Sequence, residues 1–206
     1  LLCFSLDNLD EVKAELEDVI KAAERMLANN WEFFKDAVGA YDFNRIVYLG
    51  ANCLKGIAQE SQLKILELTA GRVATMYDSP MGFRHGPKSI INDDTLTIVY
   101  LSDDPYTRQY EVDLIKEMSP QRKGNKLMAI MNKRDEEVAG LVDYAFSFDL
   151  DNEHENAFLG FDYIVAAQVL ALFKSLSYDI TPDNPCPTGE VNRVVKGVIL
   201  HPYTKR

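Results

Sequence analysis

Short apolar runs alternate with amphipathic stretches from residue 45 to residue 178. The runs have the length and the Val, Ile and Tyr content of buried strands, and they cover residues 45–50, 72–77, 95–101, 127–131 and 144–148. Helical sequence lies between them, and a long helix predicted at about residues 156–178 closes the segment. Buried strands separated by helices form parallel βαβ units with helices on both faces of the sheet. The pattern therefore predicts an α/β fold, a three-layer αβα arrangement with a five-stranded parallel sheet.

A separate amphipathic stripe precedes this segment. Its apolar residues recur every three or four positions, at Leu9, Val12, Leu16, Val19, Ala23 and Met26. The spacing predicts an N-terminal helix that packs either on the sheet of this domain or on a partner chain. We therefore divide the chain into three parts. Residues 1–38 hold the end of a preceding domain or linker and this helix, residues 39–180 form the α/β domain, and residues 181–206 form a tail that docks on the active site.

The composition narrows the range of partners. The formal net charge is −10 at pH 7, which disfavours nucleic acid and anionic membranes. Cys3, Cys53 and Cys186 are far apart and lack CxxC spacing, so we interpret them as reduced thiols of a cytoplasmic protein. We expect no membrane-spanning segment, because no apolar run approaches the roughly 18 residues that one requires.

The segment 77–88, with the sequence YDSPMGFRHGPK, is the most unusual part of the chain. Its two glycines permit special backbone conformations, and its two prolines stiffen the path. We expect this loop at the carboxyl ends of the strands, where parallel sheets bind ligands. His85 is a candidate for proton transfer, and Arg84 and Lys88 are candidates for binding an anionic substrate. The alternative is a structural histidine beside cations that only aid solubility.

Three charged residues share one flank of the second predicted helix. Glu60, Lys64 and Glu67 are four and then three positions apart. The ordinary interpretation is a solvated surface flank. Glu67 differs because it lies near the helix C-terminus, with Gly71 as the predicted cap, where an anion costs about 0.3–1 kcal/mol against the helix dipole. Glu67 is therefore our candidate for a general base, and Lys64 for a substrate-binding residue.

Two further segments have weaker signals. The turn at residues 50–56, which contains the candidate ligand Asn52, opens a helix and could hold a phosphate. It has no Walker or GxGxxG pattern, so an ordinary tight turn is favoured. His154 lies in an acidic stretch that lacks the Gly at position 6 and the Glu at position 12 of a calcium loop. We therefore predict neither a metal site nor a cofactor.

Taken together, these motifs resemble a sugar isomerase (SIS) domain with a flavodoxin-like fold. More narrowly, they resemble the second of two such domains in the tagatose-6-phosphate ketose/aldose isomerase family, also described as galactosamine-6-phosphate deaminase/isomerase. The matching stretches are RIVYLG at 45–50, LELTAG at 66–71, YDSPMGFRHGPK at 77–88, PYTRQY at 105–110 and TGEVNRVVKG at 188–197.

The resemblance implies roles for particular residues. The family is similar to the isomerase half of glucosamine-6-phosphate synthase, whose catalytic Glu, preceding Lys, loop His and tail Lys correspond by motif to Glu67, Lys64, His85 and Lys196. Arg193 in the same tail is a further candidate for substrate binding. The resemblance also implies a homodimer in which the His comes from the neighbouring subunit. Residues 1–5 look like the end of a first SIS domain, which would supply the main phosphate site.

The implied activity is a sugar-phosphate isomerisation or deamination. His85 would open the ring of galactosamine 6-phosphate, and Glu67 would move a proton between C2 and C1. Plain isomerisation to tagatose 6-phosphate would use the same proton shuttle. The alternative is a sugar-phosphate-binding SIS module with a regulatory or dimerisation role and no catalysis.

Overall fold

A five-stranded parallel sheet forms the centre of the domain. The computed structural model describes residues 8–152, 154–184, 186, 188–189 and 197–202. The strands run in the order β2-β1-β3-β4-β5, and every neighbouring pair is parallel. Their bounds are β1 (Arg45–Leu49), β2 (Ala74–Asp78), β3 (Thr95–Tyr100), β4 (Lys126–Met131) and β5 (Tyr144–Ser147). The five predicted strands and the predicted fold class are confirmed.

Helices connect the strands. They are α1 (Leu9–Asn29), α2 (Trp31–Ala40), α3 (Leu54–Leu68), α4 (Pro80–Arg84), α5 (Pro105–Met118), α6 (Glu136–Leu141) and α7 (Asn156–Leu176), with 3-10 turns at Pro87–Ile90 and Ser119–Gln121. The start of α5 follows the predicted signal, because the Asp104 carboxylate accepts a hydrogen bond from the Thr107 N–H at 2.8 Å. α2, and α4 within the 77–88 loop, were not predicted from the sequence.

The sheet separates two apolar cores. On one side α1, α2, α3 and α7 cover strand side chains such as Ile46 and Ile98, and we call this the α3 face. On the other side α4, α5 and α6 cover side chains such as Val47 and Val99, and we call this the α5 face. Successive strand residues point to opposite faces, so β1 and β3 are buried on both sides. This is the predicted three-layer arrangement.

The N-terminal helix packs on this chain's own domain. Of the predicted stripe, Val12, Val19 and Met26 are buried, and α1 lies against α7. Ala22 is buried in place of the predicted Ala23, and Leu9 is 52% exposed. The main contact of α1 is thus with α7, in the helix layer of this chain's own domain. The domain boundary at residues 38–39 stays a prediction.

α7 corrects one expectation from the sequence. Its 21 residues are long and apolar enough to cross a membrane, so the statement that no run approaches this length is wrong. More than half of the apolar stretch is buried within the domain, and core helices of soluble proteins pass the same test. α7 also buries Asp162 and Lys174, and the Lys174 ammonium donates to Asp42 at 2.8 Å. The length and composition of α7 are therefore weak evidence for a membrane.

Candidate functional site

The strand order reverses next to β1. From β1 the chain crosses to β2 on one side and then to β3 on the other, so the loops after β1 and β3 diverge. Sheets of this kind bind ligands in the crevice that such a reversal leaves at the carboxyl ends of the strands. A pocket of about 250 Å³ lies there. We call it the switch-point pocket, and its lining consists of Ala51, Asn52, Ser79, Pro80, Met81, Tyr106, Thr107, Tyr110 and Glu111.

Glu111 is a buried carboxyl group in the lining of this pocket. Its side chain has no exposed surface, and its Oε2 accepts a hydrogen bond from the Ser102 N–H at 2.8 Å. Its Oε1 is buried without a hydrogen-bond partner. Burial raises the pKa of Glu111 to about 7, against the opposing effects of the Ser102 N–H and of the nearby Arg108 guanidinium. A carboxyl group of this kind can donate or accept a proton near neutral pH.

Aromatic and hydroxyl groups form the outer part of the same pocket. The hydroxyls of Tyr106 and Tyr110 are 3.0 Å apart, and the Tyr106 side chain is 67% exposed. Asn52 has a φ of 50°, in the left-handed region that Asn tolerates, and its amide donates to the Thr107 hydroxyl at 3.3 Å. The structure therefore places the predicted ligand Asn52 at a pocket, among residues to which the sequence analysis gave no role.

The charged flank of α3 has the predicted geometry but does not line the switch-point pocket. The Lys64 ammonium is 3.0 Å from Glu67 Oε2 and 3.3 Å from Glu60 Oε1. The hydrogen bond to Glu67 raises the pKa of Lys64, and the bond to Glu60 adds to it. The Glu67 side chain is 50% exposed, near the C-terminal end of α3. Gly71 lies just beyond with a φ of 73°, and its N–H donates to Leu66 O at 2.9 Å, which supports the predicted cap.

Only the first part of the loop 77–88 lies at the carboxyl edge of the sheet, where we expected the whole loop. Ser79 and Pro80 line the switch-point pocket, but Arg84 and Lys88 both bind Glu117, next to the last residue of α5. Because α5 runs back from the carboxyl edge, these cations lie towards the opposite edge. Glu117 offsets their charge, and they are not directed into the switch-point pocket. His85 is exposed at the C-terminus of α4.

The glycines of this loop have a different role from the one predicted. A Cβ atom at Gly82 would lie 2.8 Å from the Asp78 carboxylate and 2.9 Å from the Ser79 hydroxyl, so Gly82 is required by lack of space. Gly86 has a φ of −175°, which any residue adopts, and a Cβ there would meet nothing within 4 Å. The expectation that both glycines hold special backbone conformations is wrong.

Glu67 and His85 do not meet within one chain. α3, which carries Glu67, packs on one face of the sheet through Ala58 and Ile65. α4, which ends beside His85, packs on the other face through Phe83. The sheet therefore lies between the two predicted catalytic residues.

A wider depression of about 420 Å³ lies at the amino edge of β3 and β4. Its lining includes Lys88, Asp93, Gln121 and Lys123. The Lys88 ammonium is held by Glu117 and by Gln121, so the part of this depression that it lines is already engaged in internal contacts. Of the two cavities, the switch-point pocket is the one that a buried carboxyl group with an unpartnered oxygen lines.

Several predicted residues fall outside the described part of the chain. Lys196, Arg193 and Cys3 are among them, so the docking of the tail stays a prediction. His154 is described and buried, with its Nδ1 3.5 Å from Glu15 and its Nε2 3.9 Å from Asp18. Both acids belong to α1, so His154 contacts the N-terminal helix. Across the described residues, no group of three or more His, Cys, Asp or Glu side chains is placed to hold a metal ion.

One signal for Glu111 was present in the sequence. Glu111 precedes Leu114, Ile115 and Met118 by three, four and seven positions, the spacing of the buried stripe of a helix. An acidic residue on such a stripe indicates a buried carboxyl group. The neighbouring stretch 105–110 served only as a family motif, so Glu111 was not among the predicted site residues.

Comparison with known proteins identifies the family. The fold and the location of the pocket are those of an α/β domain that binds ligands at the carboxyl ends of its strands. Residues 41–173 match the SIS domain model, and the chain belongs to the SIS domain family.

Relatives and solved structures agree with this assignment. D-galactosamine-6-phosphate deaminase AgaS from Escherichia coli is 42% identical over 189 residues, covering 90% of this chain and 48% of that protein. A Clostridium novyi NT structure with the provisional name tagatose-6-phosphate ketose/aldose isomerase is 48% identical with a TM-score of 0.93, over 98% of this chain and 52% of the other. The tagatose-6-phosphate ketose/aldose isomerase of Escherichia coli is 38% identical with a TM-score of 0.78, over 91% of this chain and 47% of the other. The chain thus spans about half the length of these proteins.

Proposed function

We propose that this chain is the C-terminal SIS domain of a sugar-phosphate isomerase or deaminase that acts on galactosamine 6-phosphate or tagatose 6-phosphate. The observation that carries the proposal is the identity of 42% and 48% to proteins with these names, over 90% and 98% of the chain. An upstream SIS domain supplies the phosphate site, which accords with a chain of half the relatives' length. The enzyme works in the cytoplasm without a cofactor, and neither nucleic acid nor a membrane is its partner.

Glu67 is the proton carrier in the proposed mechanism. His85 opens the sugar ring by acid–base catalysis at the ring oxygen. Glu67 removes the proton from C2 and returns it to C1, so that the 2-amino aldose becomes a C2 ketimine. Water adds to the ketimine, and tagatose 6-phosphate and ammonia leave. The Lys64 ammonium, 3.0 Å from Glu67 Oε2, orients the carboxylate for the first transfer. Lys196 and Arg193 approach the substrate from the tail.

The proposed site is shared between two chains. The sheet lies between Glu67 and His85 of one chain, so a site containing both requires the His85 of a second subunit. The surface around Glu67 supports this arrangement, because Leu63 and Leu66 on α3 are each 37% exposed. Exposed leucines beside a half-exposed acid are suited to a subunit interface that also holds a substrate.

Two measurements on the longer protein that includes an upstream SIS domain test the proposal. The first is ammonium release from galactosamine 6-phosphate, and the second is exchange of the C2 proton of the sugar with deuterated water. We expect both activities in the unmodified enzyme and a loss of at least about 100-fold in Glu67→Gln.

Glu60→Gln is the matched control. Glu60 also contacts Lys64, at 3.3 Å, but lies about two turns of helix from Glu67, so its loss should change either rate less than about threefold. Exchange without ammonium release would identify a plain isomerase. A Glu67→Gln enzyme that keeps its exchange rate would overturn the assignment of the base. No exchange in any form would favour a sugar-phosphate-binding module without catalysis.

A further inference from the structure

We propose that the N-terminal helix α1 is a strap that opens away from α7 while the rest of the domain stays folded, and that the open state becomes more populated as the pH rises through neutrality. The proposal is independent of the reaction assigned to Glu67. It is carried by the packing of α1 and by the buried polar groups beneath it, none of which has a role in the proposed mechanism.

The attachment of α1 to the domain is limited. The helix packs mainly on α7 and α2, and four of its 21 residues are buried, namely Val12, Val19, Ala22 and Met26. The side chain of Asn8, at the N-cap, makes no capping hydrogen bond. Elements that bury few apolar side chains open at a lower free energy than the core of a domain. α1 can therefore open without the loss of the sheet.

Asp162 lies on the side of α7 that the N-terminal helices cover. Gly160 faces α3, because a Cβ atom there would lie 2.9 Å from the Ile57 side chain. Asp162 follows two residues later, about 200° further round the helix, so it faces the opposite way. Phe173 shares the side of Asp162 and stacks on Trp31 of α2, with the ring centroids 5.5 Å apart. The buried Asp162 carboxyl group is therefore enclosed between α7 and the N-terminal helices.

Polar atoms between α1 and the domain lack hydrogen-bond partners. The described part of the chain has nine buried side-chain nitrogen and oxygen atoms without a partner, and five of them belong to Glu15, His154 and Asp162. The two His154 nitrogens are 3.5 Å from Glu15 and 3.9 Å from Asp18, too far for good hydrogen bonds. The third acid at His154 is Asp103, which accepts from its backbone N–H at 3.2 Å. A buried polar atom without a partner costs free energy that contact with water recovers, so these five atoms favour the opening of α1.

The pH dependence comes from Asp162. Burial raises its pKa to about 7, and Arg25 of α1 is the charged group that opposes this effect. The neighbouring Tyr163 stays neutral, because burial holds its pKa well above the ordinary value. Asp162 regains an ordinary pKa when α1 opens, so the closed state holds a proton that the open state releases between about pH 4 and pH 7. Closure is therefore favoured at low pH, and between pH 5 and pH 8 the opening constant rises by up to roughly 80-fold.

The test is amide hydrogen exchange of the 206-residue chain at pH 5 and pH 8. Protection factors correct for the intrinsic effect of pH on exchange. At pH 8 we expect residues 13–29 of α1 to be less protected than residues 58–68 of α3 by at least about tenfold, because α1 opens alone. The protection of α1 should also fall by at least about tenfold from pH 5 to pH 8.

Three variants separate the ionisation of Asp162 from a general effect of pH. In Asp162→Asn the protection of α1 should change by less than about threefold between the two pH values, because the titrating group is gone. Arg25→Gln should lower the protection of α1 by about threefold or more at pH 8 and by less than about twofold at pH 5, where Asp162 is protonated in the closed state. Lys21→Gln is the matched control, an exposed cation one turn before Arg25, and should have an effect below about twofold at both pH values.

Three outcomes would overturn the proposal. The first is equal protection of α1 and α3 at both pH values, which would show that α1 opens only when the whole domain unfolds. The second is protection of α1 that does not depend on pH. The third is a pH dependence that persists in Asp162→Asn, which would assign it to another group. Because the readout is hydrogen exchange, the result does not depend on whether Glu67 catalyses a reaction.

Discussion

Glu67 and Glu111 are both glutamates on helices that follow a strand, yet their surroundings are opposite. Glu67 is half exposed and paired with Lys64 at 3.0 Å. Glu111 has no exposed surface, and one of its oxygens has no partner. A family motif draws attention to the first, whereas only its environment draws attention to the second. The comparison shows that resemblance and physical environment identify different candidate residues in one domain.

The largest change in stability should come from substitution of Asp162. This residue extends the comparison to an acid whose carboxylate makes no hydrogen bond. Both of its carboxylate oxygens are buried without partners, and burial raises its pKa to about 7, with Arg25 acting in the opposite direction. The folded state therefore binds a proton between about pH 4 and pH 7 that the unfolded state does not, so stability falls as the pH rises through this range. Asp162→Asn should remove this loss and raise the free energy of unfolding at pH 8 by at most about 4 kcal/mol.

Urea unfolding of the two proteins at pH 8 and pH 4.5 measures this difference. The gain of Asp162→Asn should shrink towards zero at the lower pH, where the wild-type carboxyl group is already protonated in the folded state. An equal gain at both values would show that the ionisation of Asp162 is not its cause.

Substitution of Glu111 should change the stability in the same direction as substitution of Asp162, but by less. The same measurement on Glu67 then compares the two glutamates directly. Its folded-state pKa of about 7 also lies above the ordinary value for Glu. Glu111→Gln should therefore raise the stability at pH 8 by at most about 3 kcal/mol and lose this advantage as the pH falls towards 4.5. Glu67→Gln should change the stability by less than about 1 kcal/mol, because an exposed ion pair contributes little. Chemical denaturation of both variants across this pH range tests this difference. If stability depended on pH in the same way in the two variants, the two glutamates would not differ as described.

Glu117 is a partly exposed acid that holds the loop before β3. The hydrogen bond from Lys88 is the largest cause of the lowered pKa of Glu117; desolvation opposes it, and the hydrogen bond from Arg84 adds to the lowering. Its contribution is present above the ordinary Glu pKa and is lost as the pH falls through the lower folded-state value. Glu117→Gln should cost no more than about 1 kcal/mol at pH 7. It should also speed amide hydrogen exchange at residues 84–89, and unchanged exchange would show that the two cations do not depend on Glu117.

The smallest effect is expected at Gly86 in the same loop. Its φ of −175° lies outside the left-handed region, and a Cβ would meet no atom within 4 Å. Gly86→Ala should change the free energy of unfolding by less than about 1 kcal/mol, towards higher stability, because alanine restricts the unfolded chain. Thermal unfolding of this variant is sufficient as a measurement. A clear loss of stability would indicate that this position has a left-handed conformation in solution.

Local patterns in the sequence were sufficient for most of the fold. The five apolar runs became β1 to β5, and the Asp104 cap began α5 where it was expected. The short helix α4 was missed because proline and glycine within it are typical of a loop. α1 was predicted, but Ala22 is buried where Ala23 was expected. The reason is that packing against α7 determines which side of α1 is covered.

The sequence by itself determined the order of the elements, the α/β class and the charged flank around Glu67, because each depends on residues within two or three helical turns of one another. Only the tertiary structure decided that the sheet separates Glu67 from His85, that Glu117 binds Arg84 and Lys88, and that Glu111 lies buried beside a pocket. These facts depend on packing between segments that are distant along the chain. Periodicity indicates which face of a helix is apolar, but not which residues of another segment will meet it.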